Sequence, residues 1–217
     1  YEAFVEFTAQ SDAVIAHKED AERIGMNAQV SMIEESDFTL TGKVNRRNAQ
    51  LVVEAMHMIS NVPIERLIQI MNKFPGVSRR FEKITDNIYS DYAHTPEKIR
   101  GALQLAHEVA RDNVVVVYEG LHNTRQHFIK DELKHLFSGV KKLYVVPSYL
   151  AREDKNLEML TPEKLCDIIE HPKIRVPSIL DDELKTYIKN EVLEGNTVLC
   201  LTAGGGGSLD EWLRREF

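Results

Sequence analysis

Val114-Val115-Val116-Val117-Tyr118 is an unbroken apolar run, four β-branched residues and an aromatic with no polar position between them. A strand with one wet face alternates apolar and polar side chains, so such a run means a strand covered on both faces. That covering needs helices above and below, and the surrounding sequence supplies them in alternation. Ile88 to Asp91 reads as a strand. Pro96 to Arg111 reads as a helix, with Thr95 as its N-cap and Pro96 at the first helical position. Gln126 to Phe137 reads as helix, Lys142 to Val146 as strand, and Pro162 to Glu170 and Asp182 to Leu193 as helices. Thr197 to Leu201 is a last buried strand and Ser208 to Arg215 a closing helix. The pattern predicts an α/β fold, a mostly parallel sheet with helices on both faces.

Ahead of Pro75-Gly76 the order is mixed. Ala13 to Ala16 is a short apolar run of strand type, and Lys18 to Ile24 is helical. Val30 to Ile33 and Asp37 to Leu40 alternate roughly like paired strands. From Asn45 to Ile59 the period becomes helical, with Val52, Ala55, Met56 and Ile59 on one stripe. A second helix spans Ile64 to Phe74 and is closed by Pro75-Gly76. The Pro-Gly pair divides a partial α/β segment, residues 1–74, from a complete domain, residues 75–217.

A length of 217 residues can bury a sizeable core without disulfides. The net charge of −7 argues against a nucleic-acid-binding surface, which needs a clustered basic footprint. Cys166 and Cys200 both lie in apolar runs and read as reduced core thiols, which suits a cytoplasmic setting. No apolar run approaches the roughly 20 residues of a membrane helix. There is no signal peptide, and a start at Tyr1 without methionine suggests a fragment.

Several stretches could carry chemistry. Asp91, Tyr92 and His94 fall on a short loop between a strand's C-terminal end and a helix N-terminus, where open α/β sheets bind ligands. Just upstream stand Arg79 and Arg80. A guanidinium grips phosphate or ribose oxygens through a planar fork; the other reading is an ion pair with Glu82. Asn45 and Asn48 sit three apart at a helix start and can meet an adenine edge, or serve as an N-cap and a surface amide. Tyr118 to Arg125 gathers polar groups after the buried run, so Arg125 is either a carboxylate fork or an exposed helix-start side chain. Gly204 to Gly207 could bare N–H groups to an anion or form a plain strand-to-helix turn. His127, Asp131 and His135 share a helix face, which reads as solvated rather than metal-binding.

Arg79-Arg80-Phe81-Glu82, the strand after it and Asp91-Tyr92-Ala93-His94-Thr95-Pro96 together resemble the C-terminal domain of the Mur ligase family. These are ATP-dependent amide-bond ligases of peptidoglycan precursor synthesis. Gly42-Lys43-Val44-Asn45-Arg46-Arg47-Asn48 resembles the family's G-x-H-N-x-x-N segment, with Val44 in place of histidine. Tyr149-Leu150-Ala151-Arg152-Glu153 is similar to the Y-x-A-R-E of the alanine-adding branch. Glu119, Asn123 and Thr124 instead match the E-P-R-S-N-T of members that recycle a murein tripeptide.

The resemblance implies that Asn45, Asn48, Arg80 and Asp91 contact the nucleotide and that His94 and Arg125 contact the substrate. It implies ATP and Mg2+ as cofactors, with UDP-N-acetylmuramate and an amino acid or peptide as substrates. ATP would activate a carboxylate as an acyl phosphate, which an amine then attacks. Residues 1–74 would be the end of the ATP-binding central domain. No G-x-x-x-x-G-K-[ST] loop occurs in the chain, so the isolated chain is expected to be inactive. The resemblance implies addition of L-alanine to UDP-N-acetylmuramate; the alternatives are a murein-tripeptide-recycling UDP-N-acetylmuramate ligase and a stand-alone, non-catalytic nucleotide- or partner-binding domain.

Overall fold

The computed structural model describes residues 2–25, 29–30, 33–151 and 153–217. The chain forms two compact units, Tyr1–Pro75 and Gly76–Phe217.

The first unit carries α1 (Glu2–Thr8), β1 (Ile15–Ala16), α2 (Lys18–Ile24), β2 (Gln29–Val30), α3 (Lys43–Ile59) and α4 (Ile64–Met71). β1 and β2 pair in parallel. Of the strand expected over Val30 to Ile33, positions 31 and 32 lie outside the described residues. The strand expected from Asp37 to Leu40 does not form. Glu35–Asp37 is a single 3-10 turn, in which the Asp37 carboxylate accepts the Glu34 N–H at 3.0 Å. The Asn72 amide then takes up the backbone a partner strand would need, accepting from Thr39 N–H at 2.8 Å and donating to the Asp37 carbonyl at 3.2 Å.

The stripe expected to bury α3 is also the wrong one. Ala49 and Val53 pack with Ile33, Phe38 and Leu67, while Val52, Met56 and Ile59 are 47%, 41% and 79% exposed. The helix has two adjacent apolar stripes, and periodicity alone cannot say which one meets a partner.

The second unit contains β3 (Glu82–Thr85), β4 (Ile88–Asp91), α5 (Pro96–Ala110), β5 (Val114–Leu121), α6 (Asn123–Leu136) and β6 (Lys142–Tyr149). It continues with α7 (Pro162–Ile168), β7 (Arg175–Pro177), α8 (Asp182–Leu193), β8 (Thr197–Leu201) and α9 (Leu209–Glu216). The strands form one sheet in the order β3-β4-β8-β5-β6-β7. Only the edge strand β3 runs antiparallel; the other neighbours are parallel.

The all-valine run sits near the middle, as its composition requires. Val114, Val116 and Tyr118 face one core with residues of α5, α6 and α7, while Val115 and Val117 face the other with residues of α8 and α9. The mostly parallel sheet with helices on both faces is therefore present. β8 returns between β4 and β5, so helices leave neighbouring strand ends toward opposite faces and open a crevice there. β5 and β6 run past their expected ends, pairing Leu121 with Tyr149. Glu119 thus lies inside a buried strand rather than on a loop. Both cysteines are free and buried, and burial pushes the Cys166 thiol up to about 11. Among the described residues no helix is long and apolar enough to cross a membrane.

Candidate functional site

The C-terminal edge of β4 and the segment before β3 fold onto each other. Arg79 and Phe81 adopt positive φ of 59° and 48°, and the Tyr92 N–H donates to the Arg79 carbonyl at 2.9 Å. The sharp path turns the two adjacent arginines in different directions. Arg79 Nε pairs with Asp210 Oδ2 at 3.0 Å. Asp210 is fully buried and also takes Ser90 Oγ at 2.7 Å and Arg214 Nε at 3.1 Å. Burial would raise the Asp210 carboxyl, but the Arg214 and Ser90 hydrogen bonds and the Arg214 and Arg79 charges hold it below its ordinary range. Glu82 pairs with Arg214 rather than with Arg80, and that bond first, then the Arg79 N–H, brings its carboxyl down to about 2.

Arg80 stays exposed. Its Nη1 donates to the Tyr92 carbonyl at 3.2 Å, and its guanidinium lies 5.7 Å from the Tyr92 ring centroid. Asp91 closes β4 and is buried, with Oδ2 accepting the Phe81 N–H at 2.8 Å. Burial pushes its carboxyl up to about 6, against the pull of that N–H and of the Arg80 and Lys98 charges. His94 is 7% exposed, its Nδ1 has no hydrogen-bond partner, and its ring lies 4.6 Å from that of Tyr92. Burial first, then the Lys98 and Arg125 charges, pushes it down to about 4, so it is neutral at pH 7. Thr95 caps α5 through its backbone, with no side-chain bond, and Pro96 follows at the first helical position.

Arg125 stands in the first turn of α6 and lines a cleft of about 520 Å³ with Thr95, Pro96, Thr124, Phe128 and Glu132. Its charge acts on His94, whereas the charges acting on Asp91 are Arg80 and Lys98. Arg125 therefore stands near His94, and the Arg80 and Lys98 charges reach both His94 and Asp91. Asn45 and Asn48 belong to the other unit, both exposed, and Asn45 Nδ2 donates to the Thr41 carbonyl at 2.8 Å.

The residues that matched tripeptide-recycling members all make internal bonds. Asn123 holds the Glu158 carbonyl at 3.0 Å and the Leu160 N–H at 2.8 Å. Thr124 gives its N–H and hydroxyl to Glu153, at 2.9 and 3.1 Å. Glu153 thereby caps α6, which is a structural task for this part of the Y-x-A-R-E segment; Arg152 lies outside the described residues. The Glu119 carboxylate accepts the Ala203 N–H at 2.7 Å and the Leu209 N–H at 3.0 Å, one at each end of the glycine loop. Burial pushes that carboxyl up, the two N–H groups oppose the rise, and nearby Asp210 adds to it. The helix N-terminus that could have met an anion is thus met by the protein's own carboxylate.

Sequence reasoning did not find the Glu119 clamp or the Arg79–Asp210 pair. One signal was available for the first: an acid in an otherwise apolar run buried on both faces needs donors close by. On the α6 face, His127 Nε2 lies 2.8 Å from the Glu158 carbonyl, Asp131 pairs with Lys134, and His135 with Glu170. Among the described residues no group of His, Cys, Asp or Glu forms a metal site.

Comparison with known proteins fits this geometry. The Mur ligase, glutamate ligase domain matches residues 79–204, more than half of the chain. The UDP-N-acetylmuramate--L-alanine ligase of Fusobacterium nucleatum is 27% identical over 199 residues, covering 85% of this chain and 42% of that protein. The enzyme of the same name from Desulfitobacterium hafniense is 27% identical over 183 residues, covering 82% and 40%. The chain thus spans about two fifths of the length of the curated relatives it matches. Among solved structures, the UDP-N-acetylmuramate-alanine ligase of Thermotoga maritima shares the fold at a TM-score of 0.59 and 23% identity, over 82% of this chain and 37% of that one. Mycobacterium tuberculosis folylpolyglutamate synthase, solved with ADP, does so at 0.52 and 16%, over 76% and 38%. With its parallel sheet, its strand-end crevice and a matching domain over residues 79–204, the chain belongs to the Mur ligase family.

Proposed function

We propose that the chain supplies the C-terminal, ligand-gathering part of an ATP-dependent ligase that joins L-alanine to UDP-N-acetylmuramate. One observation carries this reading: Arg80, Asp91, His94 and Arg125 lie together at the C-terminal ends of the parallel strands β4 and β5. Asp91 gives one oxygen to Phe81 and keeps Oδ1 to accept a ribose hydroxyl, with the exposed Arg80 fork beside it for a phosphate. His94, neutral at pH 7, and Arg125 receive the carboxylate of the incoming amino acid. Asn45 and Asn48 contribute the adenine contacts from the first unit, which we assign to the ATP-binding central domain.

ATP supplies the phosphoryl group that activates the sugar carboxylate. No G-x-x-x-x-G-K-[ST] loop to cradle its phosphates occurs in these residues, and among the described residues no acidic or histidine group is gathered for Mg2+. A protein of this kind works in the cytoplasm on small molecules, without nucleic acid or membrane. Glu119, Asn123 and Thr124 do not argue for a peptide acceptor, because each is engaged inside the fold.

The test is an intact ligase carrying these residues, supplied with ATP, Mg2+, UDP-N-acetylmuramate and either L-alanine or a murein tripeptide. L-alanine should be the better acceptor by the ratio kcat/KM. Preference for the tripeptide would move the protein to the recycling class. Nucleotide binding without any product would make it a non-catalytic module.

A further inference from the structure

The glycine loop between β8 and α9 is wedged between two tyrosines that belong to opposite halves of the site. A Cβ at Gly204 would lie 3.0 Å from Tyr92 Cε2, and one at Gly205 would lie 2.5 Å from Tyr149 Cζ. Both glycines have positive φ, 66° and 153°, which a side chain would strain, and a Cβ would also push on Tyr92 at Gly204 and displace Tyr149 at Gly205.

Tyr92 carries the first half of the site. Its carbonyl and ring hold Arg80, and its ring packs on His94. Tyr149 carries the second half. Its carbonyl accepts the His122 N–H at 2.8 Å, and His122 is the N-cap of the helix that presents Arg125. The loop has few bonds of its own: Ser208 N–H reaches the Gly205 carbonyl at 3.2 Å, and Gly207 N–H reaches Glu211 at 2.8 Å. A run of glycines has no side chains with which to hold its shape. What spans both of its ends is the single buried carboxylate of Glu119, on Ala203 and on Leu209.

We propose that Glu119 is a positioning residue: by clamping the glycine loop at both ends it sets Tyr92 and Tyr149, and through them Arg80 with His94 on one side and Arg125 on the other. The clamp itself stands on the geometry alone; its consequence for ligands rests on the roles proposed above for Arg80, His94 and Arg125. Glutamine keeps the shape but offers one acceptor oxygen and turns an NH2 toward the other N–H, so Glu119→Gln breaks one of the two bonds.

Two measurements separate the clamp from the roles of the site residues. Amide hydrogen exchange on the 217-residue chain should show Glu119→Gln faster by about tenfold across residues 203–209, with a smaller rise at 92–94 and 122–125 and no change at 182–193. A rise confined to 203–209 would overturn the proposal. If the glutamine variant does not fold, Gly205→Ala makes the same test at 122–125, where unchanged exchange would also overturn it.

In an intact ligase, Glu119→Gln should raise the Michaelis constants for ATP and for the acceptor alike, about three- to tenfold. Gly204→Ala, through Tyr92, should raise both constants, whereas Gly205→Ala, through Tyr149, should act mainly on the acceptor, a split that a merely structural role would not produce. The expected exchange pattern with both constants unchanged would uphold the clamp and overturn the assignment of Arg80 and Arg125 to ligands.

Discussion

Arg79 Nε lies 3.0 Å from Asp210 Oδ2, and this pair takes one of two adjacent arginines into the fold while its neighbour stays at the surface. The two should therefore respond differently to truncation. Arg79→Ala removes a partner from a fully buried carboxylate and should cost about 1–2 kcal/mol in urea unfolding, with Ser90 and Arg214 limiting the loss. Arg80→Ala should stay within about 0.5 kcal/mol of the parent. In an intact ligase it should raise the Michaelis constant for ATP. A stability loss at Arg80 equal to that at Arg79 would contradict this division.

Asp91 and His94 should pull the stability of the chain in opposite directions with pH. Asp91 titrates near 6 when folded and near 3.8 otherwise, so its contribution is full below pH 3.8 and is lost as pH rises through 6. His94 titrates near 4 when folded and near 6.5 otherwise, so its contribution is full above 6.5 and is lost as pH falls through 4. At 1.36 kcal/mol per pKa unit each effect is on the order of 3 kcal/mol. Urea midpoints at pH 7 and 4.5 check this. Relative to the parent, His94→Gln should lose less stability on acidification and Asp91→Asn should lose more.

Arg125→Lys tests the acceptor side. A guanidinium can grip a carboxylate with two parallel bonds where an ammonium offers a point charge. Losing such a contact costs about 1.5–3 kcal/mol, so the Michaelis constant for the amino acid should rise roughly ten- to hundredfold. That for ATP should hold, because Arg80 and Asp91, not Arg125, are the side chains assigned to the nucleotide. An equal loss for ATP would remove Arg125 from the acceptor site.

The isolated chain should neither hydrolyse ATP nor form amide bonds, since scattered ligand contacts cannot hold a triphosphate and its Mg2+ in line. Product above a blank from the purified 217 residues would sink this expectation.

Pro75–Phe217 should fold by itself, because its sheet is covered by a core on each face. Among the described residues the earlier segment has a smaller core and leaves Val52, Met56 and Ile59 on α3 exposed. Limited proteolysis should leave the later piece; survival of the earlier one alone would reverse the assignment.

The sequence by itself determined the four inner strands of the sheet and the helices that cover its faces, but not the short edge strands β3 and β7. An all-valine strand admits no wet face, and Thr95-Pro96 starts a helix wherever it lies after a strand, because these signals act within a few residues. Local pattern also carried the loop that bears His94, although Asp91, expected on that loop, is the last residue of β4. The tertiary structure alone decided which arginine turned inward, since Asp210 is more than a hundred positions from Arg79. It alone decided which stripe of α3 was buried, because both are apolar and only contact chooses between them. It also made Glu119 a clamp rather than a loop acid. That followed from β8 returning between β4 and β5, which carries Ala203 and Leu209 to the end of β5. Propensity and periodicity are short-range, whereas the partner of a buried charge is set by strand order, which no single stretch encodes.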